Sequence, residues 1–297
     1  NSVLWDTLRA PSSKWEVSIE ETCKYPMAVA GNQSFYKWLS SFMRGNASFR
    51  QSLWKWWYNF LSRKYSNLTE WTCMNYGYLP EGFVGSAAHE EVSKNLYQQV
   101  VNGVNISDKD VLEVGCGRGG GLHHLHERFS PKASVGLDLS HRSISFCNKR
   151  FPDKGLRYIQ GSADDLPLDS DTMDTLINVE SSHTYPDFDA FVKEACRVLK
   201  PGGHFCYADF RQAEKVDSIK KSIESAGFQI EVYNDISPNV LLALKADEPN
   251  RDELIKAHVP WWMRTTVKQF AGVPGSKFFT DLSSGETVYM HIISRKI

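Results

Sequence analysis

From residue 109 onward, short apolar runs alternate with segments whose apolar positions recur every three or four residues. The runs predict strands at Val111–Val114, at Ala133–Leu137 ending on Asp138, and at Leu156–Gln160, Asp174–Val179, His204–Phe210, Gln229–Val232 and Val288–Ser294. The periodic segments predict helices over Leu122–Phe129, His141–Arg150, Phe188–Leu199 and Lys215–Ala226, with Lys200-Pro201-Gly202-Gly203 as a hard stop. Strands separated by helices predict an α/β fold, a doubly wound and mostly parallel sheet of seven strands with helices on both faces. Residues 238–285 break the rhythm with helical stretches and the segment Pro260-Trp261-Trp262-Met263, which predicts a helical cap before the closing strand. Residues 1–75 read as an aromatic-rich helical segment. There Phe49, Leu53, Trp56, Trp57, Phe60 and Leu61 fall at helical spacing, as expected of a stripe packed on the main domain. The expected division is thus 1–75, a core over 76–237, a cap over 238–285, and 286–297 closing the core sheet.

Composition narrows this picture. With 34 Lys+Arg against 35 Asp+Glu in 297 residues, the net charge of −1 provides no electrostatic footprint for nucleic acid. No run of about 18 apolar residues offers a transmembrane segment. The six Cys are widely spaced, without CxxC pairs, and predict reduced thiols in a cytoplasmic protein. Four sequons, at Asn32, Asn46, Asn67 and Asn105, leave secretion open as the other reading. The nine Trp are uneven: seven lie at or before Trp71, two are Trp261 and Trp262, and none stands between. The Trp-free stretch coincides with the regular sheet, so the Trp-bearing flanks are where an apolar ligand wall is expected.

The candidate chemistry begins at Glu113-Val114-Gly115-Cys116-Gly117-Arg118-Gly119-Gly120-Gly121, which follows one strand and opens a helix. Glycines let the chain turn sharply there and let a ligand approach the peptide plane. Asp138 ends the next strand, 19 residues after Gly119, where a carboxylate accepts ribose hydroxyl hydrogen bonds. A nicotinamide dehydrogenase shares that much. The Gly-x-Gly-x-Gly register, Gly161-Ser162-Ala163-Asp164-Asp165-Leu166-Pro167 after the third strand, and Leu199-Lys200-Pro201-Gly202-Gly203 before the fifth favour another reading. With these elements in this order, the central part resembles a class I S-adenosylmethionine-dependent methyltransferase, with its Rossmann-like sheet. A closer resemblance is to the phthiotriol/phenolphthiotriol dimycocerosate methyltransferases, which methylate a hydroxyl on a long-chain lipid. It runs over about residues 50–297 through Asn178-Val179-Glu180-Ser181-Ser182-His183-Thr184-Tyr185-Pro186, Tyr207-Ala208-Asp209-Phe210-Arg211 and Phe270-Ala271-Gly272-Val273-Pro274-Gly275.

The resemblance implies S-adenosyl-L-methionine as cofactor and S-adenosyl-L-homocysteine as product. It implies that Glu113 orients the methionine amino group, that Gly115, Gly117 and Gly119 pass beneath the cofactor, and that Asp138 holds the ribose. Leu139 would flank the adenine, Ala163 and Asp164 would meet its edge, and Asn178 would offer its carbonyl to the methionine part. A weaker likeness to sterol and small-molecule methyltransferases, through Tyr76-Gly77-Tyr78, places Tyr76 over the cofactor. An apolar acceptor with a hydroxyl needs a base, and His183, just past the fourth strand, is the candidate, with Glu180 to orient it or touch the cofactor. Tyr78, Tyr185, Trp261 and Trp262 are the expected acceptor wall. Asp209 and Arg211 are either substrate-side groups or a surface ion pair. His123 and His126 lie three apart on one helix without an evident third ligand, so no metal is expected. N-methylation of a small amine and cofactor binding without catalysis stay open as alternatives.

Overall fold

The computed structural model describes residues 72–297 apart from 86, 260, 262, 263, 265, 266, 269 and 270; the expected N-terminal helices and Trp262 lie outside the described residues. Seven strands form one sheet: β1 Asp110–Val114, β2 Ala133–Asp138, β3 Leu156–Gln160, β4 Met173–Val179, β5 Leu199–Gln212, β6 Phe228–Asp235 and β7 Thr287–Lys296. Their order is 3-2-1-4-5-7-6, with β7 antiparallel to both neighbours and the other pairings parallel. The chain winds outward in one direction from β1 and in the other from β4, so the carboxyl ends of these strands flank the switch point where open α/β sheets bind ligands.

Alternate residues of each strand enter two separate cores. On one face Val111, Ile177, Cys206 and Tyr289 pack beneath α1 His89–Val100, α2 Gly120–Phe129 and α3 His141–Arg150. On the other, Leu112, Leu176, Phe205 and Ile292 meet α4 Phe188–Val198 and α5 Val216–Ser225. Helix α4 shows why such a segment is helical: Phe191, Val192, Ala195 and Val198 make one buried stripe, and Asp187 caps the first turn by accepting the Ala190 N–H at 2.9 Å. Three further helices, α6 Ser237–Ala246, α7 Glu248–His258 and α8 Lys277–Ser284, lie between β6 and β7 in the chain.

Two boundaries differ from the sequence expectation. Lys200-Pro201-Gly202-Gly203 ends α4 as expected, but these residues belong to β5. Pairing jumps from Met173–Leu199 to Thr175–His204, so they bulge between two regular stretches, with Gly202 at φ +77°. Strand β6 extends to Asp235 because it pairs with β7 along its length, apart from a register shift at Glu231, while its outer half is exposed at the sheet edge. No helix among the described residues is long and apolar enough to cross a membrane.

Candidate active site

The glycine turn is shaped by what lies against it. Gly115 sits at φ +79°, and a Cβ there would fall 1.8 Å from Ser181 Oγ, so β1 and the loop after β4 approach more closely than any side chain permits. Gly121 is required differently: a Cβ would enter the Tyr97 ring at 1.9 Å. That close approach lets Tyr97, on α1, donate its hydroxyl to Glu113 Oε1 at 2.7 Å. Burial pushes the Glu113 carboxyl up to about 7, against the pull of the Tyr97 donor. Asp138, at the end of β2, accepts the Gly117 N–H at 2.9 Å and the Ser140 N–H at 2.8 Å, and burial raises its pKa.

Two buried acceptors at this edge, Glu113 Oε2 and Asn178 Oδ1, take no hydrogen bond from the described residues. Asn178 is held by its amide nitrogen, which donates to Val114 O at 2.8 Å and Tyr185 Oη at 3.2 Å. Unpaired buried oxygens are costly, and a ligand bringing N–H donors would satisfy both. An amino acid ammonium group does so, and S-adenosylmethionine fits these residues. Of the other positions implied for it, Leu139 and Ala163 are half-buried and Asp164 is exposed, its carboxylate bonded to Ser162 Oγ.

Beyond β4 and β5 stands a second group. His183 lies in the short 3-10 turn Ser182–Thr184, and its Nδ1 meets Asp209 Oδ1 at 2.8 Å. The His183 backbone N–H (2.9 Å) and Ser182 Oγ (2.7 Å) donate to Asp209 Oδ2, with Arg211 Nη1 at 3.1 Å, and the Phe210 N–H donates to Oδ1 at 2.9 Å. Asp209 is fully buried; burial alone would raise its pKa, but Arg211 and His183 hold it well below the ordinary carboxylate range. Asp209 and Arg211 are therefore not a surface ion pair.

Glu180 does not orient the imidazole; that place is taken by Asp209. Glu180 Oε1 instead accepts the Tyr76 N–H at 2.7 Å and the Tyr289 hydroxyl at 2.6 Å. Tyr76 stacks on Phe278 with ring centroids 4.2 Å apart. Phe210 touches both, at 5.7 and 4.9 Å, and the His183 ring at 4.4 Å. These rings make an apolar wall beside the imidazole. The expected wall differs. Trp261 is 75 % exposed, its ring out in solvent. Tyr185 sits edge-on to Phe191 and ties its hydroxyl to Ser181 Oγ at 2.6 Å, joining the end of β4 to α4. Tyr78 is half-buried, its N–H bonded to Val92 O. His123 contacts Glu127 and Asp153, and His126 contacts Ser134, so both helix histidines have protein partners. A shallow cavity of about 450 Å³ lies at the opposite, amino end of β2 to β4, lined by Ala133, Leu156 and Met173, remote from these groups.

Comparison with known proteins gives the geometry its context. Residues 112–207 match a family model described as a methyltransferase domain. The chain is 34 % identical over 250 residues to the phthiotriol/phenolphthiotriol dimycocerosates methyltransferase of Mycobacterium leprae, covering 82 % of this chain and 92 % of that one. It is 33 % identical to the fatty-acid O-methyltransferase of Mycolicibacterium smegmatis, covering 73 % and 80 % respectively. Among solved structures, geranyl diphosphate C-methyltransferase from Streptomyces coelicolor, crystallised with S-adenosyl-L-homocysteine, shares the fold. Its TM-score is 0.62 at 17 % identity, over 84 % of this chain and 98 % of that one.

Proposed function

The chain belongs to the class I S-adenosylmethionine-dependent methyltransferases, in the family of the phthiotriol/phenolphthiotriol dimycocerosates methyltransferases, and from that premise we propose that it methylates a hydroxyl oxygen of an apolar, lipid-like acceptor. The cofactor supplies an electrophilic methyl on a sulfonium. The observation that carries the proposal is the pairing of half-buried His183 with fully buried Asp209. With Asp209 accepting from Nδ1–H, the imidazole keeps a lone pair on Nε2, the arrangement of a general base. One of the relatives is by name a fatty-acid O-methyltransferase. A fatty acid is already ionised at neutral pH and needs no base, whereas a hydroxyl must lose its proton as it attacks. A buried carboxylate with five protein donors, spent on orienting one imidazole, supports the hydroxyl.

In this reading the chain divides its labour. Glu113, Asn178, the turn through Gly115, Gly117 and Gly119, and Asp138 hold the cofactor, with Leu139, Ala163 and Asp164 beside the adenine. The segment Thr72–Leu79 and helices α6 to α8 cover the acceptor, whose apolar part lies against Tyr76, Phe210 and Phe278. Positioning the hydroxyl and the methyl in line within a site shielded from water supplies much of the remaining rate. The test is His183→Ala. Transfer to a hydroxyl acceptor at pH 7 should fall by about 10²–10³, with cofactor affinity retained. Nearly intact transfer would remove the base and favour an amine or a carboxylate as acceptor.

A further inference from the structure

Glu180 is in an unusual position. It directly follows β4, yet its backbone has φ +44°, a left-handed conformation that a residue with a side chain occupies only under strain. The turn is secured by the Glu180 N–H, which donates to Ala208 O at 2.8 Å. Its effect is to point a carboxyl group between two donors, the Tyr76 N–H and the Tyr289 hydroxyl, both on Oε1. Oε2 takes no hydrogen bond from any described residue. The side chain is closely surrounded by protein atoms but keeps part of its surface open, so that oxygen is the one left for a bound molecule. The rings around it are those around His183: Phe210 touches the imidazole, Tyr76 and Tyr289 alike, the last at 6.2 Å. Glu180 and His183 therefore flank one aromatic floor on the acceptor side.

The charge state of this carboxyl follows from its neighbours. Tyr289 reaches it from β7 and Tyr76 from the covering segment. From β5 come the Asp209 charge, which opposes ionisation, and Arg211, already paired with Asp209. From α7 comes Arg251, which favours ionisation but is held by Asp247 at 2.6 Å. Burial outweighs the two donors and pushes the Glu180 pKa to about 8, so the group carries a proton at neutral pH. A neutral carboxyl whose Oε1 accepts twice has its own O–H on Oε2 to donate.

We propose that Glu180 acts as an uncharged hydrogen-bond donor to a second oxygen of the acceptor, next to the one that takes the methyl, and so selects acceptors bearing a neighbouring hydroxyl or carbonyl. This rests on the hydroxyl-acceptor reading above, and it adds a specificity-determining contact on the side of the floor opposite the base. Glutamine preserves the arrangement, with its carbonyl oxygen facing Tyr76 and Tyr289 and its amide donating outward. Methionine removes the donor at similar size.

The experiment is calorimetric titration of the enzyme, loaded with S-adenosyl-L-homocysteine, with 1-decanol and with 1,2-decanediol at pH 7. Wild type should bind the diol about 5–10-fold more tightly than the alcohol, the worth of one neutral hydrogen bond. Glu180→Met should abolish that preference and Glu180→Gln should restore it. Equal affinity of wild type for the two probes, or failure of Glu180→Gln to restore the preference, overturns the proposal. A second measurement needs no acceptor: Tm of wild type and Glu180→Gln against pH. The two curves should diverge from about pH 5, where the unfolded chain's carboxyl ionises while the folded one keeps its proton, and run parallel again above about 8. Curves that stay parallel from about pH 5 to 8 would mean a carboxylate that ionises in the fold as it does in the unfolded chain, charged in the working enzyme, and would also overturn it. Diol preference together with a null effect of His183→Ala on transfer would instead count against the base alone.

Discussion

Replacing Asp209 by Asn removes one charge and exchanges one acceptor oxygen for a donor. In the structure Oδ1 receives two donors, His183 Nδ1 and the Phe210 N–H, while Oδ2 faces three, the His183 N–H, Ser182 Oγ and Arg211. The amide nitrogen settles where fewer donors oppose it, at the Oδ1 position. There it meets His183 Nδ1 as a donor and forces the imidazole into its other tautomer, with the proton on Nε2. The base then presents a proton where it needs a lone pair. Loss of general-base assistance lowers kcat by about 10²–10³, equivalent to roughly 2.7–4.1 kcal/mol. Removing the partner of nearly buried Arg211 also destabilises the fold, by about 3–5 kcal/mol if the charge is left unpaired. The assay is transfer of labelled methyl to a hydroxyl acceptor well below Tm, with cofactor affinity measured by calorimetry and Asp209→Asn/Arg211→Met as companion. The companion should recover much of the lost Tm and none of the lost kcat. A kcat within threefold of wild type, or a loss of cofactor affinity as large as the loss of kcat, would refute the tautomer argument.

Other consequences are as direct. Gly115→Ala should cripple cofactor binding, by 100-fold or more in Kd, because its Cβ overlaps Ser181 and its φ of +79° suits only glycine; titration with S-adenosylmethionine checks it. Tyr97→Phe removes the donor that favours the ionised form of Glu113. Cofactor affinity, which rises as Glu113 ionises near pH 7, should then fall about tenfold at pH 7, with its midpoint moved to higher pH. Stability should also respond to pH. Glu113 and Glu180 both titrate higher in the fold than in the unfolded chain, near 7 and 8, so the folded protein holds more protons above pH 5. Their contribution is complete below about pH 4.5 and is lost as pH rises through 7 to 8, so Tm without cofactor should decline between about pH 5 and 8. Asp209 has the opposite sign: its contribution is present above the ordinary carboxylate pKa and is lost only in acid.

What could be read from the residue order was whatever the backbone itself demands. The glycine turn, Asp138 at a strand end and the helical stripe of α4 all declare themselves through local geometry, and the sheet follows from their alternation. His183 was visible as a residue type in a telling position. Its partner was not, because Asp209 is 26 residues away and becomes adjacent only through the parallel register that sets Val179 beside Ala208. That register was the available signal: Asp209 stands one residue beyond Ala208, at the same edge as His183. Closeness in sequence suggests the imidazole or the cofactor as the partner of Glu180, yet its partners in the fold, Tyr76 and Tyr289, are 104 and 109 residues away. The aromatic wall escaped for the same reason. Tyr76, Phe210 and Phe278 carry no common period, whereas Trp261 attracted notice by composition, and composition is blind to a ring that faces water.

The central claim is methyl transfer to a hydroxyl oxygen. Incubating the purified protein with methyl-labelled S-adenosylmethionine and a total lipid extract, then locating the label by mass spectrometry, tests it most directly. The account predicts label in a neutral lipid as a methyl ether, resistant to alkaline hydrolysis and absent with Asp209→Asn. Label recovered as an alkali-labile methyl ester of a fatty acid, or on nitrogen or carbon, would contradict it.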